Sequence, residues 1–451
     1  MSATQQLARF AAETTPADIP PEVMARALAL ISDLVGSGVR AAQEADSTPS
    51  VLAMLSRLGM EGSGPCTVFG LNRRYGPAAA ALLNGTLGHS LDFDDTHADS
   101  SLHPSAPVVP AALAAAEITG ASGEELLAAV VTGFEVCCRL GMALDPTAHY
   151  ARGFHPTATA GNFGAAAAAG QLLGLDAAGM AAAFGVAASQ ASGSLQFLVN
   201  GAWNKRYQVG EAAMKGLMAA TLAAEGFHAA ADALEGKHGF LAGYSDGADP
   251  ERAVSGLGTV WETMRIGVKP YPACRYTHAA VDGLLALRAQ HGWNADEVGS
   301  LRVGLHRNGM TLVGEPLSEK RRARSIVEGQ FSMPFAAAVA LMTGRFGWDD
   351  YALLGQAGVD ALCDRVDVAR DESLEGLRHP FGATLQITAR GETHHLRIAD
   401  PSGEPESFPS PAQSAQKFRT LAGPVLNAGA ETLLQRLHGL PQAKSLHGWF
   451  A

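Results

Sequence analysis

Between Asn84 and Glu117 the chain reads NGTLGHSLDFDDTHADSSLHPSAPVVPAALAAAE, which sets His89, His97 and His103 beside Asp92, Asp94, Asp95 and Asp99 in one short span. Imidazoles and carboxylates exchange protons near neutral pH, so this set, followed by a small-residue helix, suits general acid–base chemistry. Three further clusters carry ionisable groups. GFHPTATAGNFG places His155 before a proline, as His103 stands before Pro104, and a following proline biases each histidine to extended backbone. NGAWNKRYQVGEAAMKG carries Lys205 and Arg206, and VKPYPACRYTHAA carries Lys269, Cys274, Arg275 and His278. A helix over 84–96 would put His89, Asp92 and Thr96 on one face.

Plainer roles stand beside these. A lone histidine is commonly a satisfied hydrogen-bonding residue. Lys205–Arg206 reads equally as a solvated pair, Lys269 as the flank of a strand, and Asp94–Asp95 as caps for neighbouring loops. Cys274 reads as a small buried side chain. The His/Asp run matches no zinc spacing, and adjacent aspartates on one helix diverge, so no metal ligand is assigned.

The elements that must position these residues are mostly helices. Pro21 opens a helix whose apolar period Val23, Ala27, Leu30, Leu34 runs to Gly36, and Ser122 with Glu125 forms a capping box before LLAAVVTGFEV. Stretches 108–119 and 161–193 are dominated by Ala and Gly, as in closely packed buried helices. From about Arg265 the pattern changes to alternating or β-branched segments, SLRVGLHR, RVDVAR, ATLQITAR and THHLRIAD, with a Gly391 turn between the last two and the helix FSMPFAAAVALMTG among them. DPSGEPESFPSP, from Asp400 to Pro411, is a linker by composition, and helical pattern returns after it. The expected fold is mainly α with a second α+β domain: a large helical domain over 1–263, completed by 405–451, and an inserted α+β lid domain over 264–404.

With 451 residues, 47% hydrophobic and 17% charged, the chain has material for a large core. A net charge of −11 without a basic stripe argues against nucleic acid, and means that local cations must meet any anionic substrate. Five cysteines without a CxxC pair favour a reduced, cytoplasmic setting. No signal peptide is evident, and the most apolar runs, such as GNFGAAAAAGQLLG, are too short for a bilayer, so no membrane partner is expected. Neither GxGxxG after a strand nor GxxxxGK[ST] occurs.

Taken in order, HSLDFDDTH with HPSAPVVPAALAAAE, GFHPTATAGNFGAAAAA, KRYQVGEAA, KPYPACRYTHAAVD and GQFSMPFAAAVALMTG closely resemble the MmgE/PrpD family, which includes 2-methylcitrate dehydratase, cis-aconitate decarboxylase and iminodisuccinate epimerase. The resemblance implies a homodimer, each subunit with a helical domain and a smaller α+β lid domain and the active site between them, working on a small di- or tricarboxylate without metal or organic cofactor. By motif it places functional positions at Asp92, Thr96, His103, His155, Lys205 and Lys269. One departure stands out: the fifth residue after the KPYP lysine, a histidine in the cis-aconitate decarboxylases, is here Cys274. That favours dehydration or epimerisation over decarboxylation.

The expected chemistry is proton abstraction next to a carboxylate. His103 and His155 form the acid–base pair, Asp92 orients a histidine or acts as base, and Lys205 and Lys269 contact substrate carboxylates. Arg206, Arg275, Cys274, His278 and Thr96 complete the substrate-binding set. Which imidazole is acid and which is base stays open at this level, as does the choice between a hydro-lyase, an epimerase and a decarboxylase.

Overall fold

The computed structural model describes residues 1–376 and 380–450. It is 60% helical with small sheets, and it divides into two compact units. The first comprises Met1–Ser90, Asp94–Val268 and Pro409–Ala451; the second comprises Lys269–Phe408 together with the tripeptide Leu91–Phe93. The tripeptide's membership had no signal in the sequence, and the second unit begins at Lys269 and ends at Phe408 instead of 264 and 404.

In the first unit three helices, Ser105–Thr119, Pro156–Leu172 and Asn204–Ala224, pack on one another, and Pro77–Gly88 packs on the first and third. Small residues set the spacing. A Cβ on Gly210 would run into Leu82 O and Thr86 Oγ1 of the Pro77–Gly88 helix, so only glycine lets these two helices approach so closely. The Ser122–Glu125 capping box opens Gly123–Ala143. That helix is long and apolar enough to cross a membrane, yet 94% of its most apolar window lies buried among the other helices, and it carries the buried Glu135–Arg139 pair. It is a core helix. Pro21–Glu44 runs past Gly36, where the apolar period was expected to end, and the returning helix Pro411–Leu426 packs against it.

The second unit is built on a four-stranded sheet in the order Val366–Arg370, Val298–Leu305, Ala383–Ala389, Glu392–Ile398. The first pair is parallel and the others are antiparallel. Arg390 and Gly391 join the last two strands, both at positive φ (50° and 80°), as a two-residue hairpin turn requires. His278–His291 packs on this sheet and Met333–Thr343 on that helix.

Two readings are corrected. The condition for His89, Asp92 and Thr96 to share a helix face is not met, because the helix ends at Gly88; Asp92 takes φ 52°, outside helical space, and Thr96–His97 instead pairs antiparallel with Ile266–Gly267. Aspartates compete for backbone hydrogen bonds, and here tertiary partners hold the broken chain. DPSGEPESFPSP is no free linker either: Glu404 within it is buried against Arg275, and Ser402 N–H donates to Asp282.

Candidate active site

In the first unit the residues singled out for chemistry stand at helix ends. His155 is the N-cap of Pro156–Leu172, His103 stands two residues before Ser105–Thr119, and Lys205 lies in the first turn of Asn204–Ala224. His89 caps the C-terminus of Pro77–Gly88. The His89 ring centroid is 5.1 Å from that of His103 and 6.0 Å from that of His155, so three imidazoles form one cluster. Sequence reasoning counted His89 among the ionisable residues but gave it no role.

Hydrogen-bond logic fixes two tautomers. His103 Nδ1 lies 2.6 Å from the backbone carbonyl of Asp95, which can only accept, so Nδ1 carries the proton and Nε2 of the neutral ring has a lone pair. Thr96 Oγ1, 3.3 Å from the same nitrogen, contacts His103. His155 is the reverse case. Gln208 Oε1 accepts from Ser194 N–H at 3.1 Å, which orients the amide and leaves Gln208 Nε2 to donate to His155 Nδ1 at 2.8 Å. The proton of neutral His155 is therefore on Nε2. Burial holds this imidazole well below its ordinary pKa, with the charges of His89, Lys205 and His103 adding to the effect, and its seat at a helix N-terminus works in the same direction.

Around this cluster lies a buried acidic layer. His89 Nδ1 is 2.7 Å from Asp94 Oδ2, with both side chains fully buried. Burial, then repulsion from Asp94, pushes the Asp95 carboxyl well above the usual carboxylate range, even though it accepts from Ser105 Oγ and N–H. Burial likewise raises Asp33, although Lys417 of the returning helix sits 2.7 Å from its Oδ1. Arg206 is also buried here and donates to Ser47 Oγ at 3.4 Å, so it is not the solvated partner of Lys205.

The second unit holds the other expected residues. Lys269, 1% exposed, is 3.1 Å from Asp92 Oδ1 and donates to Asp92 O at 3.0 Å, which clamps that residue's left-handed backbone. Gln330 Nε2 holds the preceding carbonyl, Leu91 O, at 2.8 Å. Arg275 does not present the open fork expected for a substrate carboxylate. Its Nε and Nη2 donate to Glu404 Oε1 at 2.9 and 2.6 Å, and its Nη1 donates to His278 Nδ1 at 3.0 Å. A buried guanidinium needs such a partner. His278 in turn donates its Nε2–H to Ala273 O at 3.1 Å; burial, Arg275 and Lys269 hold its pKa well down, so it is a neutral bracing residue. Cys274 is buried, and its N–H donates to Gln330 O at 2.9 Å. Lys320, whose pKa burial lowers, feels the Cys274 thiol; sequence reasoning passed it over.

Among the described residues, no group of three His, Cys, Asp or Glu side chains is arranged to hold a metal. The whole inventory is one of proton donors, proton acceptors and cations. Residues 5–253 match the MmgE/PrpD N-terminal domain and residues 271–438 the MmgE/PrpD C-terminal domain. The chain belongs to the MmgE/PrpD family. Over 94% of its length this family member is 29% identical to a cis-aconitate decarboxylase-like protein, oryM, of Aspergillus oryzae, covering 91% of that protein. Over the same share it is 32% identical to a cis-aconitate decarboxylase of Aspergillus terreus, covering 89% of it. The Mus musculus cis-aconitate decarboxylase is 34% identical over 222 residues, 48% of this chain and 44% of that protein.

Proposed function

We propose that this MmgE/PrpD protein is a cofactor-independent lyase that eliminates water from a small hydroxylated di- or tricarboxylate. The observation that carries the reading is the pair of opposite tautomers: His103 offers a lone pair at Nε2, and His155 offers a proton at Nε2. Elimination needs both, a base for the carbon-bound hydrogen and a donor for the departing hydroxyl.

In this reading His103 Nε2 takes the proton next to a carboxylate, and its Nδ1–H stays on Asp95 O throughout, which steadies the imidazolium that forms. Charge then builds on the carboxylate as it becomes enolate-like. Lys205, close enough to His155 for its charge to depress that imidazole, supplies the cation for it. His155, kept neutral, meets the departing hydroxyl with Nε2–H, as a neutral imidazole at a helix N-terminus can. The Nε2 proton of His155 goes out with the hydroxyl as water, the unsaturated acid leaves, and the proton taken by His103 is returned by way of solvent to His155 Nε2, which restores both rings. The part of Lys269 and Asp92 in this turnover rests on the family resemblance. We also propose a homodimer: Trp203, Met218, Leu222 and Phe227, on or beside Asn204–Ala224, are exposed apolar residues suited to a second copy.

Decarboxylation is the second reading, favoured by relatives that carry that name across nearly the whole chain. Against it stands Cys274, the departure that the family resemblance marks five residues after Lys269. A panel of polycarboxylates read by alkene absorbance, CO2 release and solvent deuterium uptake separates the outcomes. Absorbance gain without CO2 is expected; CO2 release would establish the decarboxylase, and deuterium exchange with inversion alone would establish an epimerase.

A further inference from the structure

We propose that Gln208 is a positioning residue that keeps His155 in the Nε2–H tautomer and so makes it a proton donor instead of a base. The inference rests on the donor role given to His155 above and adds the residue that enforces it.

The geometry is built from both sides. Gln208 lies one turn beyond Lys205 on Asn204–Ala224 and is buried, as is His155. Its amide has two chemically distinct ends, and the surroundings read them in one way only. Ser194 N–H can only donate, so the end it meets at 3.1 Å is the oxygen. The remaining end, the NH2, faces His155 Nδ1 at 2.8 Å. A glutamine turned the other way would oppose two donors at Ser194 and lose that bond.

The Ser194 loop is itself fixed against the histidine. His155 N–H donates to Gly193 O at 3.1 Å and Leu195 N–H to Gly153 O at 2.9 Å, so the two backbones run as a short bridge. Gly193 has φ 143°, and a Cβ there would lie 2.7 Å from the Ala158 Cβ, so this approach requires glycine. Ser194 N–H is thus held where it can read the amide oxygen, and the reading passes through the amide to the imidazole. Nothing in the spacing of KRYQVGEAA announces this, because the partners come from a separate loop and another helix.

Gln208→Glu isolates the effect. The new carboxylate still accepts from Ser194 N–H, so the fold contact is kept, but the atom facing His155 changes from donor to acceptor. Neutral His155 then places its proton on Nδ1, and its imidazolium gains a partner. In selectively labelled protein, nitrogen NMR is expected to show the His155 titration displaced upward relative to wild type. The pH–rate profile is expected to gain a descending limb above that new pKa, with turnover lost about tenfold per pH unit because the Nε2 proton is gone. The wild type shows no such limb from this group, since its neutral form is the donor. Should Q208E fold poorly, Gln208→Met leaves Nδ1 without a donor, and nitrogen shifts should report a mixture of tautomers. An unmoved His155 titration in Q208E, or a wild-type-like tautomer in Q208M, overturns the proposal. If the wild type turns over no polycarboxylate, the lyase reading fails while the NMR result still decides on Gln208.

Discussion

Removing the Lys269 ammonium tests how the chain break at Asp92 is held. Lys269 and Asp92 are 1% and 4% exposed in their side chains, with Nζ 3.1 Å from Oδ1 and 3.0 Å from the Asp92 carbonyl. At an effective dielectric of about 20 the gross attraction across such a gap is about 5 kcal/mol. Much of it offsets desolvation, so the intact pair adds little net stability. Breaking it on one side is costly, because a buried carboxylate then loses its cation; Lys269→Met should destabilise by about 3–5 kcal/mol. Lys269→Met with Asp92→Asn removes both charges and keeps a residue that tolerates the φ of 52° at position 92. The double variant should recover most of the loss, to within about 1–2 kcal/mol of wild type. Urea unfolding of the four proteins gives the cycle, and turnover on a confirmed substrate gives a second axis. If Lys269 serves only structure, activity returns with stability; if it also meets substrate, as the family resemblance implies, the double variant is stable and inactive. A K269M protein as stable as wild type, or one that D92N fails to rescue, would refute the reasoning.

Three further outcomes are expected. His103→Gln should lower turnover about 10²–10⁴-fold while circular dichroism and unfolding stay near wild type, because only the base is lost. Burial keeps His155 neutral below its ordinary pKa of 6.5, so there the unfolded chain takes up a proton that the native state refuses, and stability falls as pH drops through the window just below that value. The raised carboxyls of Asp33, Asp95 and Glu135 act in the opposite sense, keeping protons in the native state that the unfolded chain has lost above about pH 4. Comparing wild type with His155→Gln isolates the histidine: the variant's stability should fall less on acidification, by up to about 1.4 kcal/mol per pH unit in urea melts. Sedimentation should give a dimer, and charging the exposed apolar face with Met218→Glu and Leu222→Glu should yield monomer.

Much of this was legible in local sequence. The His-Pro turns, the Ser122–Glu125 capping box and the alternating strands each announce themselves over a few residues, and each is where its pattern places it. What the sequence hid is partner choice across long separations. Lys269 and Arg275 look like free cations in KPYPACRYT, yet Asp92, 177 residues from Lys269, and Glu404, 129 from Arg275, occupy them. The end of the helix at Gly88 was missed for the same reason: the bonds that hold Leu91 and Asp92 come from Gln330 and Lys269. Gln208 carries no motif at all, since its meaning comes from which neighbour sits at each end of one amide.

The most direct measurement is the nitrogen NMR spectrum of selectively histidine-labelled wild-type protein near neutral pH, with His103→Gln and His155→Gln as assignments. His103 should appear as the Nδ1–H form and His155 as the Nε2–H form. Finding both rings in the same tautomer, or His155 as an imidazolium at that pH, would contradict the division into base and donor from which the lyase reading follows.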